Sequence, residues 1–80
     1  MKLLKWSYLR RNTIKTSFDI YPHSPVIFRR IRNYYFVYNV QWSYPDPAVN
    51  EAELREMELL LNQELGFEEG YKNRKSKKMD

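Results

Sequence analysis

Alternating apolar and polar positions divide the chain into strand-like segments, a helix and a polar tail. Residues 3–9 set Leu4, Trp6 and Tyr8 against Leu3, Lys5, Ser7 and Leu9, which predicts a first strand. Leu3, Leu4, Ser7 and Tyr8 also form a partial helical stripe, so a short helix is the alternative. Arg10-Arg11-Asn12 reads as a polar turn. Residues 13–21 place Ile14, Thr16, Phe18 and Ile20 on one face and Lys15, Ser17, Asp19 and Tyr21 on the other, a half-buried second strand. Pro22-His23-Ser24-Pro25 ends it, because two prolines within four residues cannot serve a central ladder. A third strand starts at Pro25 with Val26, Ile27 and Phe28 and runs to Arg32.

The segment Tyr34–Trp42 is aromatic and β-branched, with no charge, Gly or Pro, and suits a central strand. Period-2 geometry puts Tyr34, Phe36, Tyr38, Val40 and Trp42 on one face, which reads as the core face. Tyr35, Val37, Asn39 and Gln41 then lie on the open face. Arg32-Asn33 fits a two-residue hairpin loop, with Asn suited to positive φ. That register pairs Ile31 with Tyr34, Arg30 with Tyr35, Arg29 with Phe36, Phe28 with Val37 and Ile27 with Tyr38. It leaves Arg29 on the core face, where it must reach the sheet edge or be displaced by a bulge.

A helix follows the Pro-rich connector 43–47. Asp46 with Pro47, or Asn50 with Glu53 as a near capping box, can start it. Leu54, Met57, Leu61 and Leu65 form its apolar stripe, widened by Leu60 and expected against Phe36, Tyr38 and Trp42. Gly66 suits the position after its end, with Phe67 completing a Schellman motif. The pattern therefore predicts an α+β fold: a small antiparallel sheet of three to four strands, with one C-terminal amphipathic helix packed on one face. Residues 1–71 form the domain and 72–80 a flexible basic tail. Four strands followed by a helix resembles in outline the small ββββα single-stranded-DNA-binding domains, a resemblance of architecture that transfers no residue.

Eighty residues bound the chain to one domain, which buries only about 60% of its unfolded surface. Absence of cysteine excludes disulfides, thiolate metal sites and cysteine nucleophiles. No apolar run approaches the ~20 residues of a membrane span, and Lys5 interrupts any signal-peptide apolar region. The expectation is an intracellular protein of the cytoplasm, or of the nucleus in a eukaryote, with no membrane partner.

Charge is segregated. Residues 1–42 hold eight Lys/Arg and one acid, Asp19, for a net +7. Residues 43–71 hold eight acids and Arg55, for −7, and residues 72–80 carry +4. His23, alone in a Pro-bracketed turn, reads as a surface histidine. The helix glutamates read as a solvated face, although Glu53 and Glu56 stack at i, i+3. Gly66 and Gly70 are the two glycines and make no phosphate loop. The chain is thus expected to be non-enzymatic, without cofactor or metal.

Basic and aromatic residues together suggest nucleic-acid binding, to a single strand or RNA. Arginine forks engage phosphates and rings stack on unpaired bases. The candidates are Lys5, Arg10, Arg11, Arg29, Arg30, Arg32, Tyr35, Lys72, Arg74 and Lys75. The alternative is a protein-interaction factor: an adaptor, inhibitor or small subunit of a larger protein or ribonucleoprotein assembly. It would dock through the acidic helix at Glu53 and Glu56 or through a sheet edge, which could also form a homodimer.

Overall fold

The computed structural model describes residues 1–74. Four strands form an antiparallel sheet in chain order: β1 (Leu3–Arg10), β2 (Thr13–Phe18), β3 (Tyr21–Ile31) and β4 (Tyr34–Val40). Helix α1 (Glu51–Leu65) and a short α2 (Glu68–Asn73) follow. The α+β class is as read from the sequence, with a second helix added.

The α1 boundaries follow local chemistry. Asn50 caps the helix: its side chain accepts from the Glu53 N–H at 2.9 Å while the Glu53 carboxylate returns to the Asn50 N–H. Asp46 is instead buried, accepting from the His23 N–H at 2.9 Å and from the Ser24 hydroxyl at 2.6 Å. It fastens the connector to β3 rather than starting the helix. At the other end Gly66 takes φ 83°, the Phe67 N–H reaches the Asn62 carbonyl, and the Gly66 N–H reaches that of Gln63. These are the two bonds of a Schellman motif.

The helix covers the face opposite to the one expected. Met57 and Leu61 are buried with Ile14, Phe18, Tyr21, Val26, Phe28 and Tyr35, while Leu54, Leu60 and Leu65 flank this cluster. Tyr38 and Trp42, expected beneath the helix, are 58% and 50% exposed. The register explains the reversal. Ile31–Tyr34 through Phe28–Val37 pair as predicted, but Ile27 pairs with Asn39 and Val26 with Val40, leaving Tyr38 as an extra residue. This bulge switches the phase of β4, so Tyr35, Val37 and Val40 share the helix side with Phe28 and Val26. Burying the other face would have taken Arg29 and Lys15 out of water, at a cost no partner offsets.

β3 starts at Tyr21 rather than Pro25, so Pro22 as well as Pro25 lies within it. Phe18 pairs with Tyr21 and Thr16 with Val26, so residues 22–25 bow out opposite the single residue Ser17. The prolines are tolerated there because no ladder bond is asked of their nitrogens. β2 accordingly stops at Phe18; Ile20 is exposed in the turn and Tyr21 is buried, the reverse of simple alternation. In the β3–β4 loop the left-handed residue is Arg32, φ 55°, rather than Asn33. Its carbonyl accepts from Arg30 Nε at 2.8 Å.

Strand β4 is an edge of the sheet, yet α1 side chains occupy its outer groups. Asn62 Oδ1 accepts from the Tyr35 N–H at 2.8 Å, and Asn62 Nδ2 donates to the Tyr35 carbonyl at 2.9 Å. The Glu58 carboxylate accepts from the Val37 N–H at 2.9 Å. Helix α2 then packs on the β3–β4 turn. Tyr71 lies edge-on to Tyr34 and donates to Glu58 Oε1 at 2.8 Å. An ideal Cβ on Gly70 would come within 2.4 Å of the Asn33 carbonyl oxygen, so this approach needs glycine. Lys72 and Asn73 belong to α2, and Arg74 follows as its cap. The helix therefore extends beyond residue 71, where the tail was expected to begin.

Candidate nucleic-acid interface

The sheet has one face under α1 and one open face. No strand carries Asp or Glu. Antiparallel partners share a side, so the register places Lys5, Ser7, Arg10, Thr13, Lys15, Ser17, Ile27, Arg29, Phe36 and Asn39 on the open face. A bulge between Tyr8 and Arg10 turns Arg10 to this side, opposite Thr13. Arg29 lies with its guanidinium carbon 4.8 Å from the centre of the Tyr38 ring, a cation–π contact that puts Tyr38 on the same face. Phe36 is half-buried beside Arg29.

The chain direction gathers the arginines. β1 and β3 both end where the turns at 11–12 and 32–33 lie, so Arg10, Arg11, Arg29, Arg30 and Arg32 share one end of the sheet, all exposed. The Arg30 N–H to Asn12 carbonyl bond, 2.9 Å, ties that end together.

Several expected site residues stand elsewhere. Tyr35 is 2% exposed and packs against Phe67 beneath the helices, so no base can reach its ring. Burial also pushes its hydroxyl pKa upward. Arg30 belongs to the helix side, its guanidinium 4.8 Å from the Phe67 ring centre. Lys72 lies on α2, where its ammonium is 2.7 Å from Glu68 and holds that carboxyl below its usual pKa. Arg74 stacks on Tyr71 at 3.7 Å and, with Arg32, borders the cleft between α2 and the hairpin turn. Lys75 lies outside the described residues.

The acidic candidates are engaged internally. Glu53 closes the capping box and also accepts a short hydrogen bond from the Tyr21 hydroxyl. Glu56 is 3.6 Å from the N-terminal ammonium. Among the described residues no group of three or more His, Asp or Glu could hold a metal ion. No helix there is long and apolar enough to cross a membrane.

Sequence reasoning missed Lys15, Phe36 and Tyr38. Lys15 was legible: it alternates with Ile14 and Thr16 and so had to face away from them. Phe36 and Tyr38 were hidden by assigning β4 to the wrong face.

A family profile described as "Uncharacterised protein YuzH" matches residues 2–76. The chain belongs to the YuzH family. No curated protein and no solved structure matches it.

Proposed function

We propose that this member of the YuzH family is a non-enzymatic protein that binds single-stranded nucleic acid on the open face of its sheet. One observation carries the reading: an acid-free sheet sets Lys5, Arg10, Lys15 and Arg29 on the same face as Phe36 and Tyr38, while the glutamates cluster on the helix layer. The cations supply phosphate contacts, with Arg11 and Arg32 extending them at the arginine-rich end. The Arg29 guanidinium over Tyr38 offers a flat cationic surface on which an unpaired base stacks. Docking through Glu53 and Glu56 is less favoured, because both carboxylates already serve partners within the fold.

Titration of a fluorescent dodecanucleotide over a range of salt concentrations tests the proposal. Affinity should fall with a slope of roughly 0.7 in log K per neutralised phosphate. Replacing Lys15 and Arg29 together by Gln should flatten that slope. Tyr38→Ala should lower affinity without changing it, since stacking releases no counterions. Absence of binding at micromolar protein in low salt, to both DNA and RNA, would overturn the proposal.

A further inference from the structure

The bowed segment 22–25 forms one wall of a groove of about 400 Å³ on the open face, lined by Lys5, Ser7, Lys15, Ser17, Pro22 and Pro25 among others. Lys5 pairs across the strands with Ser17, and Ser7 with Lys15. The four form a square, with the lysines on one diagonal and the hydroxyls on the other. Cross-strand diagonals of this kind separate side-chain origins by about 7–8 Å, within reach of one small anion. No ion pair found among the described residues uses either lysine. Asp19, the one acid in residues 1–42, is not in the lining; its carboxylate accepts from the Lys2 N–H at 2.8 Å, which lowers its pKa.

We propose that this groove is a subsite for a phosphate monoester. Two ammonium groups match the dianion that a monoester becomes above its second ionisation near pH 6, and two hydroxyls donate to its oxygens. A phosphodiester carries a single charge and uses the quartet less fully. The occupant is the terminal phosphate of a bound strand or a free phosphate. The first of these rests on the nucleic-acid reading above.

The test uses the full chain and four probes: dodecanucleotides of one sequence bearing a 5′-phosphate, a 3′-phosphate or neither, and inorganic phosphate. The expected result is that one phosphorylated strand binds tighter than the unphosphorylated one by on the order of tenfold at pH 7.5. The preference should vanish at pH 5, where the monoester loses its second charge. It should also shrink in S7A/S17A, which removes the two hydroxyl donors but keeps both lysines. Backbone amide NMR with inorganic phosphate should shift Lys5, Ser7, Lys15 and Ser17 in the unsubstituted protein. Equal affinity for all three strands, with no phosphate-induced shifts, overturns the subsite while leaving nucleic-acid binding standing. A preference that S7A/S17A leaves undiminished overturns its location. Phosphate shifts without any strand binding uphold the groove as a free-phosphate site and remove the nucleic-acid reading. No response to any probe removes both.

Discussion

Asn62 stands in for a neighbouring strand: its side-chain amide accepts from the Tyr35 N–H at 2.8 Å and donates to the Tyr35 carbonyl at 2.9 Å. Both residues are buried, so this pair holds the sheet edge to the helix where water does not compete.

Removing that amide should be costly. Asn62→Ala leaves two buried backbone groups of Tyr35 without partners, each worth about 1–3 kcal/mol when unsatisfied. The expected loss is about 2–6 kcal/mol, measured as a lower urea midpoint. A midpoint within error of the parent would mean that α1 does not depend on this bond.

Leu61 and Tyr38 test which face of the sheet is covered. Leu61 is fully buried beneath α1, and Leu61→Ala should cost about 2–5 kcal/mol. Tyr38, 58% exposed, should cost under about 1 kcal/mol when replaced by Ala. Comparable losses for the two variants would contradict the face described.

Gly70→Ala should destabilise even though alanine favours helix by about 1 kcal/mol over glycine. The added methyl would meet the Asn33 carbonyl oxygen at 2.4 Å, on backbone that cannot step aside cheaply. Overpacking of this kind costs about 1–3 kcal/mol. Differential scanning calorimetry should show a lower Tm, and a raised Tm would show that α2 does not sit against the turn.

Alkaline pH should unfold the domain through two tyrosines. Burial, then the hydrogen bond to Glu53, raises the Tyr21 hydroxyl to about 12; burial and Glu58 do the same for Tyr71. Both folded values lie above the ordinary 10 of an unfolded tyrosine. The protonated forms are therefore favoured by folding. Their stabilising contribution is whole below pH 10 and declines as pH rises through about 12. Unfolding followed by circular dichroism should set in across that window. Tyr21→Phe should weaken the alkaline dependence, and an unaltered profile would contradict the assignment.

Much of the fold was legible because local chemistry decides it. The Asn50 capping box, the Gly66 stop, the Arg32-Asn33 loop and four of the five predicted β3–β4 pairs follow from the residues themselves. The buried face of β4 was not legible from β4 alone, since its more aromatic side, with Phe36 and Tyr38, is the one left open, while Tyr35, Val37 and Val40 are covered. β2 held the answer. Its inward-facing members Ile14 and Thr16 pair with Phe28 and Val26, which fixes the core side of β3 and sends Arg29 outward. The apparent difficulty of a buried Arg29 was a sign that the face was inverted. The site inherited this inversion, exchanging Tyr35 for Tyr38 and Phe36. Its cations were mostly found, because charge remains exposed whichever face is chosen. The bulge at Tyr38 and the excursion at 22–25 depend on tertiary fit and left no period to read.

The seal that Asn62 and Glu58 place over β4 sets a limit on assembly. With that edge occupied at Tyr35 and Val37, the remaining edge is β1. A sheet with one closed side has a pairing valence of one: joining β1 to β1 would consume both open edges at once. Growth would stop at a two-fold pair and could not propagate into a fibre. Loss of Asn62 would therefore do more than soften the domain, because it would open the Tyr35 position of this edge to a strand from another molecule.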